Sequence, residues 1–192
     1  MIAKQSRGRL RMPHNVNIRV IGADKKVKRV FQPNKLFVKL ISLGLLSPYF
    51  HKIPVLLGHW SDHMTISNLV PTVGKALVAG RIMGSGAPAA ATYIGVGVGT
   101  TAAAATDNAL QTESTASGLT RATATISLVT TDVTDDTAQA VKSFSVTGTV
   151  AVTESGMFNA SSGGTLLARQ VFSAINVVNG DSLEITWKFD VD

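Results

Sequence analysis

The run from Leu183 to Val191 sets Leu183, Ile185, Trp187, Phe189 and Val191 on one side and Glu184, Thr186, Lys188 and Asp190 on the other. Successive side chains of an extended strand point to opposite faces, so a strict period of two predicts a strand with one face in a core and one in water. Such a strand needs partners, and the chain offers several. Val16, Ile18 and Val20 alternate with Asn15, Asn17 and Arg19; Ala122, Ala124, Ile126 and Leu128 alternate with Arg121, Thr123, Thr125 and Ser127. Thr92–Val98 and Leu166–Phe172 read as further strands, and Val141–Val152 as one long strand region with Phe144, Val146 and Val150 as core candidates. Asn179-Gly180-Asp181 reads as a hairpin turn. Five or six antiparallel strands at this spacing predict a mainly β chain with an antiparallel β-sandwich over residues 91–192.

The N-terminal part is organised differently. Met1–Pro13 is polar, basic and aperiodic, as expected of an extended arm without its own core. Residues 14–90 form a hairpin and helix region. Its basic β-hairpin turns at Gly22–Lys25 and continues through Lys26–Phe31. Asn34 can cap a helix carrying Leu36, Leu40, Ile41 and Leu45, ended by Gly44 and Pro48. Val73–Ile82 fits helix or strand alike. The small-residue stretch Gly84–Ala91 marks a domain boundary, and Asp107–Glu113 reads as one or two helical turns.

Charge is segregated in the same way. Residues 1–50 hold eleven lysines and arginines against Asp24 alone, whereas residues 51–192 hold seven cationic and eleven acidic side chains. The cations Lys4, Arg7, Arg9, Arg11, Lys25, Lys26, Lys28 and Arg29 are therefore the candidate partner-binding residues, suited to an acidic protein face or a nucleic-acid backbone. Phe31, Phe37 and Tyr49 are too scattered for a base-stacking platform, which disfavours nucleic acid. The chain has no cysteine, which excludes disulfides and thiolate metal sites. Its first apolar run, Leu36–Leu46, contains Lys39 and falls short of the roughly 20 residues a membrane span needs, so no membrane partner is expected.

Chemical signals are weak throughout. Gly95, Gly97 and Gly99 fall at positions 1, 3 and 5, whereas a dinucleotide-binding fingerprint needs 1, 3 and 6. No lysine lies between Lys75 and Lys142 to serve a phosphate loop. Glycines at this spacing suit a strand that another backbone approaches closely. His59 and His63 with Asp62 have one-turn spacing, but lack the glutamate of a zinc protease motif, and a polar turn with Trp60 packed on the core is expected instead. Ser155 and Ser161–Ser162 sit in no nucleophile motif. Asp132, Asp135 and Asp136 lack the calcium-loop register and read as a solvated turn. No catalytic, cofactor or metal residue is assigned, and the chain is expected not to be an enzyme.

The order of segments carries a further signal. YIGVGVGTT at Tyr93, DNALQTE ending at Glu113, TESGMFN around Gly156, LARQVF around Arg169 and NGDSLEITW before Lys188 follow one another. This series resembles a family of structural proteins of tailed-bacteriophage virions, closely over Tyr93–Asp192 and in outline before it. The resemblance implies a non-enzymatic particle component that binds other virion proteins and forms homo-oligomers. It further implies a place at a tail, collar, fibre or capsid surface, with a capsid cement protein as the near alternative. A nucleic-acid-binding protein is the alternative from another class, and a carbohydrate-binding β-domain is disfavoured for want of aromatic residues. Glu154, at a strand bend beside Gly156, is expected to cap backbone amides or to pair with Arg169.

Overall fold

A computed structural model describes residues 14–34, 58–67, 69–84, 86 and 88–191. The arm expected over Met1–Pro13 and the helix expected after Asn34 lie outside the described residues.

The chain is mainly β and antiparallel. Among the described residues the strands are β1 (His14–Ile21), β2 (Val27–Lys28), β3 (Val30–Pro33), β4 (Gly58–Ser61), β5 (Met64–Ser67), β6 (Tyr93–Gly97), β7 (Ala122–Thr123), β8 (Thr125–Val129), β9 (Thr137–Ser145), β10 (Val150–Phe158), β11 (Leu166–Val177) and β12 (Ser182–Asp190), and the helix is α1 (Thr72–Met83). One sheet runs β2-β1-β12-β9-β8, with β5 also paired to β1, and a second runs β11-β10-β6-β7. A third, two-stranded sheet pairs β3 with β4.

The core lies between the two larger sheets, and β12 is its axis. Across the first sheet Trp187 stands between Val16 and Ala140, Ile185 between Ile18 and Lys142, and Leu183 between Val20 and Phe144. The small Ala140 beside Trp187 leaves room for the indole, which is fully buried. From the second sheet come Ile94, Val96, Met157, Ile175 and Val177, all in the same cluster. The Trp187 Nε1–H donates to Ser155 Oγ (3.2 Å), whose own hydroxyl donates to the Gly95 carbonyl (3.0 Å). A buried indole N–H thus finds its acceptor on the opposite sheet, fixing how the two layers sit. Ser155 is a cross-sheet tie.

Several expectations are corrected by the way the chain changes sheets. The Asn179–Asp181 turn is not a hairpin, because β11 and β12 belong to different sheets. It is an arch in which the Asp181 amide donates to the Val178 carbonyl and Gly180 takes φ +90°. The region Val141–Val152 is not one strand either. It splits into β9 and β10 at residues 146–149, again crossing from sheet to sheet. The stretch from Ala122 breaks at the buried Ala124, with β7 in one sheet and β8 in the other. Ile126 and Leu128, on the apolar side of that alternation, are 47% and 61% exposed.

The expected boundary near 84–91 does not part these elements. β1 pairs with β12 along its whole length, and Val70 and Leu77 join the same core. Val73–Ile82 proves helical, with Pro71 just before its first residue and Gly84 closing it at φ +68°. The basic hairpin exists but is short: β1 and β2 share only the pairs Val20 with Lys28 and Ile21 with Val27. β3 then leaves to pair with β4, where Trp60 faces Phe31 edge-on at 5.6 Å. Trp60 is 64% exposed and does not pack on the core.

Candidate functional site

The glycine-spaced strand lies under a second layer of its own chain. After β6 the backbone loops out over residues 98–113 and returns across the outer face of the second sheet. The Val98 amide donates to the Thr112 carbonyl and the Ser114 amide to the Val96 carbonyl, both at 2.9 Å. Asp107–Glu113 is not helical. The Gln111 and Thr112 amides turn inward to a carboxylate, and only the Asp107 amide reaches back along the chain, to the Ala104 carbonyl.

That carboxylate is Glu154, which has no exposed surface. Oε1 accepts from the amides of Gly99 (3.1 Å) and Thr112 (2.7 Å), and Oε2 from the amide of Gln111 (3.1 Å) and from Arg169 Nε (2.9 Å). Arg169 Nη2 also stands 2.8 Å from Oε2 and donates to the Thr101 carbonyl (3.0 Å), while Nη1 donates to Asp107 (2.8 Å). Glu154 therefore does both things expected of it. It does so at an irregularity in β10, where the pairing with β11 shifts between Val152 and Glu154. The Thr153 hydroxyl adds a bond to the Gly99 carbonyl (2.8 Å). Burial acts to lower the Arg169 guanidinium pKa, but the hydrogen bonds and charges of Asp107 and Glu154 outweigh it and raise the pKa above its ordinary value.

The three glycines make this layer possible. A Cβ at Gly99 would stand 2.5 Å from Glu154 Oε1, one at Gly97 would strike the Thr112 carbonyl, and one at Gly95 would lie 2.9 Å from Glu113 Oε1. The spacing that imitates a nucleotide loop is a close-approach surface for the chain itself. Beside it, Leu110, Phe158 and Leu166 form a second small core. Arg121 seals its edge: the guanidinium grips Glu113 through Nε (2.7 Å) and Nη2 (2.6 Å), lies 3.4 Å over the Phe158 ring, and donates through Nη1 to the carbonyls of Ala160 and Gly163. Such a bidentate, stacked geometry is one that arginine but not lysine supplies.

Of the basic candidates, Lys4, Arg7, Arg9 and Arg11 lie outside the described residues. Lys25, Lys26, Lys28 and Arg29 are all exposed around the β1–β2 turn, and Lys25 sits at φ +61°. Lys28 is engaged by Asp181 at 2.7 Å. Asp181 is buried, which acts to raise its pKa, yet the Lys28 ammonium and the Val178 amide hold it below the usual carboxylate range. Lys25, Lys26 and Arg29 remain as an exposed cationic cluster.

His59 and His63 are not on a helix: His59 lies in β4 and His63 follows it in the turn to β5, where its Nδ1 meets Asp62 at 2.7 Å. Asp136 closes the β8–β9 turn by accepting from the amides of Thr131, Asp132 and Val133, and the Val133 and Thr131 amides lead in lowering its pKa to about 2. Asp107 and the Arg121–Glu113 grip were not foreseen. Their partners are set by the fold of the loop, and no spacing in the chain announces them. Searches against protein-family models, curated proteins and solved structures yield no match for this chain.

Proposed function

We propose that this protein is a non-enzymatic structural component of a bacteriophage particle, attached to a tail, collar or capsid lattice through its basic arm and its sheet domain. The observation that carries this reading is where the resemblance-bearing segments meet. IGVGVGTT, ALQTE, ESG and LAR converge on the Glu154–Arg169 network, and GDSLEITW supplies Asp181 and the Trp187 tie. They build the domain and leave its faces for neighbours, which suits a subunit of an assembly. The exposed Lys25, Lys26 and Arg29 would extend the contact begun by Lys4, Arg7, Arg9 and Arg11. Deleting Met1–Pro13 should weaken incorporation into particles while leaving the sandwich folded. Full incorporation of the truncated protein would remove the arm from the account.

The same exposed cluster favours a second reading, in which the basic turn holds nucleic acid. Filter binding against salt separates the two. A steep loss of affinity with salt marks phosphate contacts, and no binding at low salt leaves the protein partner.

A further inference from the structure

We propose that β8 is the contact by which two copies of this chain associate, edge to edge, about a two-fold axis through Ser127. Among the described residues β8 pairs only with β9, so its other edge presents unpaired backbone donors and acceptors. Isolated soluble domains blunt such edges with lysine, proline or a bulge. The five residues Thr-Ile-Ser-Leu-Val carry no charge and no proline, and their register with β9 is unbroken.

The pattern is also self-complementary. Antiparallel pairing centred on Ser127 sets Ile126 opposite Leu128 of the second copy, Leu128 opposite its Ile126, and Thr125 opposite its Val129. Ile126 and Leu128 share a face with Ala140 and Ala138, their partners on β9. That face borders an apolar trough of about 360 Å³, lined further by Phe189, Met157, Leu77 and Ile82, with Arg81 its one charged residue. Ile82 and Val191 at the trough are 62% and 50% exposed. The β8 edge itself carries no charge, so two chains of net charge +6 meet along it without like charges opposed, and Arg81 is the one cation each copy brings to the trough. A five-residue edge alone is smaller than the about 800 Å² per partner of a stable dimer, so the trough rim belongs to the contact as well. The pairing joins two six-stranded sheets into one and gives the exposed aliphatic rows a cover. It specifies the homo-oligomer part of the proposed function and holds or fails in solution, whatever particle the chain belongs to.

The absence of cysteine gives a direct test. Residues paired with themselves across an antiparallel two-fold have Cα atoms about 4.5–5.5 Å apart, within the range a disulfide spans. The full-length Ser127→Cys protein should oxidise rapidly to a covalent dimer, while Thr125→Cys, displaced from the axis, should not. Sedimentation of the unmodified chain should give about twice 20.1 kDa. Leu128→Lys should raise the dissociation midpoint at least tenfold with an unchanged melting temperature at concentrations where the chain is monomeric, and Trp60→Lys, on an exposed aromatic patch elsewhere, should leave the dissociation midpoint alone. A monomer at all concentrations, equal cross-linking at positions 125 and 127, or dissociation by Trp60→Lys instead of Leu128→Lys would each overturn the proposal.

Discussion

Replacing Glu154 by glutamine changes one atom type in the buried network and should cost a large part of the domain's stability. The two carboxylate oxygens face five donors: Oε1 those of Gly99 and Thr112, Oε2 that of Gln111 and two from Arg169. An amide offers one acceptor, so its nitrogen must point at either the first pair of N–H groups or the second set. Donor then faces donor in a buried site, and Arg169 loses one of its two carboxylate partners and keeps only Asp107. Breaking a buried pair from one side costs about 3–5 kcal/mol, against a total of roughly 5–15 kcal/mol for a domain. Urea unfolding should register that loss. Amide hydrogen exchange should show Gly99, Gln111 and Thr112 opening at lower free energy than the β12 amides. The double variant Glu154→Met with Arg169→Met sharpens the point. Were the pair simply an ion pair, removing both charges would be nearly neutral. Here three backbone amides would still lack an acceptor, at about 1–3 kcal/mol each. A double variant within about 1 kcal/mol of the parent would refute the reasoning.

Gly97→Ala should destabilise by about 1–3 kcal/mol, the usual cost of overpacking, because its Cβ would strike the Thr112 carbonyl and stand 2.7 Å from Glu154 Oε1. Equilibrium unfolding checks this, and an unchanged midpoint would mean that the 98–113 layer does not press on β6. The Asp136 carboxyl should titrate at about 2 by NMR, below its ordinary 3.8. Because the folded pKa is the lower one, the contribution of Asp136 to stability is full above about pH 4 and is lost as pH falls through about 2; Asp181 acts in the same direction. Asp136→Asn should flatten that acid limb, and an unaltered limb would contradict the capping role.

How much of this was legible depends on what each residue had to satisfy. β1 and β12 could be read because their two faces meet different media, core and water, and the alternation records it. Glu154 with Arg169 could be read because a charge beside a strand glycine needs a partner. The sheet crossings at 146–149 and 178–181 could not, since alternation is the same whichever sheet a strand joins. Ile126 and Leu128 show a related limit: alternation shows that one face is apolar, but not that a layer covers it. Residues 107–113 looked helical by local composition, yet three inward amide and carboxylate bonds overrode that propensity. Asp107 gave no signal, because its role depends on the loop bringing it 62 residues along the chain to Arg169.

The proposed role in a phage particle is tested most directly on purified particles. Phage particles produced with this chain carrying a C-terminal epitope tag should be purified to a single band, and the tag located by immunogold electron microscopy. The account predicts labelling at one repeated position on tail, collar or capsid, with the chain present in stoichiometric amount by mass spectrometry. Particles that are complete and infective but contain none of the chain would contradict it.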